Sequence, residues 1–142
     1  MNRFQEGLQI EEEVREYLEK LGVEWIWRRS YSRAPDFAIM HSGVFLRIEV
    51  TSDSSNSMNF FIAKWKYLFL SEYPLVVVYK KKAQGIFYTF LLLNQGEVQK
   101  TAYLDKYTKE PYYQIRNPTI FQKGLPSLED LQIFAKRIGE RH

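Results

Sequence analysis

Two carboxylates stand where carboxylates are rare. Asp36 follows Pro35 into the apolar run Phe37 to Met40, and Glu49 sits between Ile48 and Val50, near the end of a second run that starts at Val44. Both runs are rich in strand-favouring residues, among which Asp and Glu are depleted. A carboxylate buried in a strand needs a partner, a proton or a metal. Two of them at the ends of adjacent strands could form one site. They could equally be rim carboxylates of a small antiparallel sheet. The chain has no Cys and only two His, His41 and His142. That excludes disulfides, thiolate zinc sites and His-rich metal sites. Any bound metal would need oxygen ligands, which points to Mg²⁺ or Mn²⁺.

Cations stand close to these carboxylates in sequence. Arg28, Arg29 and Arg33 bracket a polar loop with Tyr31 that leads straight into Pro35-Asp36. Such a loop would suit a phosphate-bearing substrate. It could also be a solvated loop whose arginines pair with the acidic residues at 11–16. Lys64 and Lys66 lie in an apolar stretch, where a lysine either snorkels or is pinned by a carboxylate. Lys80-Lys81-Lys82 forms a compact basic run, and Ser52 to Ser57 is a hydroxyl-rich loop.

The elements that must position these groups follow from periodicity. Ile10, Val14, Tyr17, Leu18 and Leu21 predict a helix over 9–21, with Glu11 to Glu13 in its first turn and Gly22 as its cap. Glu16 stands apart from that acidic cluster, facing solvent or looking over the sheet. Strands are expected at Val23–Arg28, Phe37–Met40 and Val44–Thr51, with a turn at His41-Ser42-Gly43. On the third strand Glu49 shares a face with Arg47 and Thr51. Asn59 to Ser71 reads as a buried helix. Leu75–Tyr79 reads as a central strand covered on both faces. Ile86–Leu93 and Glu97–Tyr103 read as a hairpin. Residues 104–124 show little periodicity, and their tyrosines among basic residues could face a partner or pack on the sheet. Ser127 and Asp130 start a final amphipathic helix.

The chain has 142 residues, 45% of them hydrophobic and 26% charged, which fits one globular domain spanning 1–142. No apolar run approaches the roughly 20 residues of a membrane helix, and the polar N-terminus is unlike a secretory signal. The expected location is therefore intracellular and cytoplasmic, with no membrane partner. The net charge of +3 permits a nucleic-acid partner without demanding one. Aromatic residues make up 16% of the chain, enough to pack the core and leave rings for an interface. The order of elements predicts an α/β domain with a mixed central sheet flanked by helices.

This order resembles the core of the PD-(D/E)XK nuclease superfamily, the restriction-endonuclease-like fold. Pro35-Asp36 match the first half of its signature and Glu49-Val50-Thr51 the second. The likeness spans about Gln9 to Tyr79. Within the superfamily the chain looks most like the Uma2 group, on Pro35-Asp36, Glu49-Val50-Thr51-Ser52, Lys64 with Tyr67, and Glu72-Tyr73-Pro74-Leu75-Val76. Junction resolvases built on the same core also resemble it. One position departs from the pattern: Thr51 stands where lysine is usual.

The resemblance implies a metal-dependent endonuclease hydrolysing phosphodiester bonds in DNA. Asp36 and Glu49 would hold Mg²⁺ or Mn²⁺, with the backbone carbonyl of Val50 and an outer carboxylate from Glu16 or Glu12. Lys64 would take over the lysine's role. Lys80, Lys81 and the arginines at 28, 29 and 33 would grip the DNA backbone. A homodimer is expected, because two cuts need two sites. Two other functions compete: a nuclease-fold protein without cleavage that binds nucleic acid or serves as an assembly module, which Thr51 favours, and a small structural protein associating through its aromatic surface.

Overall fold

The computed structural model describes residues 2–23, 25–28, 37–64, 74–104 and 111–140. Helix α1 runs from Arg3 to Leu21, six residues earlier than periodicity alone places it. The reason is a capping box: the Asn2 side chain accepts from the Gln5 N–H at 2.8 Å, and the Gln5 side chain accepts from the Asn2 N–H at 3.1 Å. The helix buries Ile10, Val14 and Leu18, one residue per turn, and ends at Gly22 in the left-handed conformation.

Strands β1 (Trp25–Arg28), β2 (Phe37–His41) and β3 (Val44–Asp53) form an antiparallel meander. Ser42 and Gly43, at φ 51° and 72°, make the tight turn between β2 and β3. Beyond them lie β4 (Phe60–Ala63), β5 (Leu75–Lys81), β6 (Ile86–Leu92), β7 (Val98–Leu104), β8 (Pro111–Ile115) and β9 (Ile120–Lys123), then helix α2 (Leu128–Glu140). The central sheet has the order β1-β2-β3-β5-β6-β9. It is mixed, because β5 runs parallel to β3 while the other described pairings in this sheet are antiparallel. The second sheet has the order β4-β8-β7. No helix among the described residues is long and apolar enough to cross a membrane.

The two faces of the central sheet carry different cores. Leu46, Ile48 and Val50 of β3, with Val76 and Val78 of β5, pack against Ile10, Val14 and Leu18 of α1 and against Leu131, Phe134 and Ile138 of α2. On the other face Leu75, Val77 and Tyr79 of β5 and Tyr88, Phe90 and Leu92 of β6 meet Phe60 and Ile62 of β4 and Tyr113 and Ile115 of β8. The continuous apolar run of β5 is thus buried on both sides, as expected of a central strand. The fold is an α/β arrangement whose two described helices share one face, with the second sheet on the other. Tyr17 ties the helices' ends together by donating to the Pro126 carbonyl at 2.7 Å. Ser127 and Asp130 cap α2 reciprocally, as their spacing predicts.

Two expected elements are corrected. The helix expected over 59–71 begins instead as strand β4, and residues 65–73 lie outside the described residues. Phe60 and Ile62 alternate onto one face, and the Phe60 ring meets those of Tyr79, Tyr88, Phe90 and Phe121 at 4.7–5.6 Å. That pocket, and the pairing of β4 with β8, come from residues distant in sequence and override local propensity. The hairpin expected between β6 and β7 does not form either. β7 pairs with β8, and β6 pairs with β5 and β9. Glu97 turns the chain away: it ends a short 3-10 turn, its carboxylate accepts from the Leu93 N–H at 2.7 Å and from the Thr119 hydroxyl, and its carbonyl accepts from the Arg116 N–H at 2.9 Å.

Candidate functional site

Residue alternation along β3 sends Ile48 and Val50 into the helix-side core and Arg47, Glu49 and Thr51 to the opposite face. Glu49 is only 1% exposed. The Arg47 guanidinium, two residues back on the same face, lies with Nη2 2.6 Å from Glu49 Oε1. Arg47 itself keeps 15% of its side-chain surface. Opposite charges this close attract strongly where water is largely excluded. Glu49 is flanked by Val77 of β5, and its neighbour Ile48 pairs with Phe37, the first residue of β2.

The residues expected at this site are only partly assembled. Asp36 lies outside the described residues. Val50 is adjacent to Glu49, but its side chain is committed to the helix-side core, so its backbone carbonyl is the group it can offer. Glu16 is not brought to Glu49. It is exposed on α1, which packs on the opposite face of the sheet, and it lines an open groove of about 460 Å³ with Gln9, Ile10, Glu12, Glu13 and Lys80. Lys64 is exposed and begins a helical turn directly after β4. Thr51 stands beside Tyr79 of β5 on the Glu49 face. Among the described residues, no three His, Cys, Asp or Glu side chains gather in a group that could hold a metal ion.

Of the lysines in the basic run, Lys80 and Lys81, expected to grip DNA, and their neighbour Lys82 are each paired to a carboxylate. Lys80 Nζ lies 3.2 Å from Glu13 and 5.0 Å from the centre of the Phe87 ring, and Lys82 Nζ lies 3.0 Å from Glu6. Lys81 is fully buried and 2.8 Å from Asp53. Alternation along β5 separates them: Lys80 faces α1, whereas Lys81 faces the second sheet.

Sequence reasoning missed the network around Lys81. Its ammonium donates to Asp53 Oδ2, to Ser55 Oγ at 3.2 Å and to the Asn59 carbonyl at 2.6 Å, and it lies 4.9 Å from the centre of the Phe60 ring. The Tyr79 hydroxyl donates to the same Asp53 oxygen at 2.7 Å. Burial, and then the Asp53 charge, raise the Tyr79 pKa well above its usual value. One signal was present in sequence. Asp53 and Lys81 each lie two residues beyond the end of an expected strand, and the parallel register sets them side by side. Comparison of the chain with protein-family models, curated proteins and solved structures gave no match.

Proposed function

We propose that the protein is a metal-dependent nuclease acting on phosphodiester bonds in DNA, with its centre at Glu49. The observation that carries this reading is Glu49 itself. It is a carboxylate held almost wholly out of water, in a strand that pairs with β2 on one side and runs parallel to β5 on the other. The order of a helix, an antiparallel three-strand meander and a parallel fourth strand supports the resemblance noted in the sequence. Asp36 directly precedes Phe37, whose partner Ile48 directly precedes Glu49.

The donor chemistry suits a hard divalent cation, since Glu49 offers carboxylate oxygens and Val50 a backbone carbonyl. Asp36 would complete the set. A bound Mg²⁺ or Mn²⁺ would supply Lewis-acid stabilisation and a water of lowered pKa. The protein's share is to hold Glu49 fixed in a buried sheet face. Arg47 supplies the nearest described cation.

A second reading is favoured by the Arg47–Glu49 pair and by the paired lysines. If Arg47 holds Glu49 permanently, the chain is a nuclease-fold protein without cleavage, acting as a nucleic-acid-binding or assembly module. Calorimetry with Mg²⁺ and Mn²⁺, alongside cleavage assays on linear, nicked and branched DNA, separates the two. The nuclease reading expects metal binding and cleavage that both disappear in Glu49→Gln. DNA binding that is indifferent to metal and to Glu49→Gln, with no cleavage, would establish the second reading instead.

A further inference from the structure

We propose that the protein self-associates by pairing β9 with β9 of a second copy, antiparallel about a twofold axis at Gln122. The inference does not depend on the reading of Glu49.

β9 closes one end of the central sheet, and among the described residues no strand pairs with its outer edge. Alternation sorts its backbone groups. The Gly124 N–H donates inward to the Phe87 carbonyl at 2.7 Å. The pair of Gln122 with Thr89, two residues along, therefore also bonds inward. Phe121 and Lys123 turn their N–H and C=O groups outward, as a template for another strand. The side chains sort in the same way. Ile120 packs toward the helix-side core and Gln122 donates to Asp130 of α2. Phe121 and Lys123 share the other face, and both are exposed. Phe121 keeps 47% of its surface although its ring stacks on those of Tyr88 and Phe90 at 5.7 and 5.0 Å. A ring already fixed in this way loses little freedom when its open side is covered.

The edge's own sequence is what commits it to a second copy. Placed antiparallel about Gln122, Phe121 of each copy falls opposite Lys123 of the other. Each such pair exchanges both N–H···O bonds, and sets an ammonium against an open aromatic ring. Two pairs give four bonds. The neighbouring registers are poorer. Centring on Phe121 would call on the Thr119 N–H, which is already spent on the Leu91 carbonyl at 3.0 Å. Centring on Lys123 would set like charges opposite each other. A strand of four residues makes a small interface, so the expected dimer is weak.

Sedimentation equilibrium on the whole chain from about 10 μM to about 1 mM, where a small interface dissociates, should show a reversible monomer–dimer equilibrium. Lys123→Pro removes an outward N–H only, a position where an edge strand tolerates proline. It deletes two of the four bonds and both cations, and should weaken the dimer at least about tenfold while the monomer stays folded. The chain has no Cys, so Gln122→Cys supplies a single thiol. That thiol would sit on the axis in a non-hydrogen-bonded pair with Cα atoms about 4.5 Å apart, within disulfide reach. Mild oxidation should give a disulfide-linked dimer. Phe45→Cys, at an exposed position on β3, three strands away, should stay monomeric under the same oxidation. A parent that is monomeric over the whole range would overturn the inference. So would a dimer of unchanged affinity in folded Lys123→Pro. If that variant does not fold, equal cross-linking of Gln122→Cys and Phe45→Cys would overturn it instead.

Discussion

At the scale of single residues, the sharpest electrostatic feature outside the candidate site is Tyr79. Its hydroxyl is buried and donates to a carboxylate that also holds Lys81. The unfolded chain releases the tyrosine proton near the ordinary value of 10.0, and the folded chain only at higher pH. The folded state therefore binds more protons over that interval. This contribution to stability is complete below pH 10 and declines as pH rises above it. Urea unfolding at stepped alkaline pH should show that decline in the parent and a shallower one in Tyr79→Phe. The loss is up to about 1.4 kcal/mol per pH unit for one such group. Identical slopes would mean that Tyr79 does not carry it. None of this was visible in sequence, where Tyr79 read only as the last residue of an apolar strand.

At the scale of elements, Lys81 joins three segments that sequence alone keeps apart. It ties the end of β3, through Asp53, to the loop at Ser55 and to the start of β4, through the Asn59 carbonyl. β4 is a strand of only four residues, so its seat on the central sheet depends on such ties and on the Phe60 ring cluster. Lys81→Met removes the cation and leaves Asp53 and the Asn59 carbonyl without it. Breaking such a buried pair costs about 3 kcal/mol. The expected outcome is a lower urea midpoint together with faster proteolysis within residues 54–59. An unfolding free energy within about 0.5 kcal/mol of the parent, the usual scatter for surface substitutions, would show that the ring cluster alone seats β4.

Across the whole molecule, the distribution of charge matters more than the net +3. The acidic residues of α1 meet the basic end of β5, with Glu13 on Lys80 and Glu6 on Lys82. These exposed pairs add little to stability, but they cancel the field that a basic run would otherwise project. Lys80→Gln and Lys82→Gln should therefore change DNA affinity by less than about twofold, and should leave its slope against salt concentration unchanged within error. A slope reduced by about one for each substitution would place phosphates on these lysines after all.

Local chemistry wrote much of this architecture into the sequence. The helix caps at Gly22 and at Ser127 with Asp130, the glycine turn at Ser42-Gly43, the alternation of β3 and the apolar run of β5 act through neighbours a few residues apart. They come out where periodicity puts them. So does the face that Glu49 shares with Arg47 and Thr51. What failed to be legible is non-local. Phe60 to Ala63 carries aromatic and apolar residues that suit a buried helix as well as a strand, and only pairing with β8 decides for the strand. Lys80, Lys81 and Lys82 read as one patch, but the strand turns Lys81 to the opposite face and α1 delivers carboxylates to the other two. Glu16 and Glu49 each suited a metal by type, yet the sheet stands between them. Side-chain type and short-range spacing fixed α1, the β2–β3 turn, β5, α2 and which way β3 faces. Only the tertiary structure decided which charges meet, because a charge's partner is chosen by distance in space and by burial.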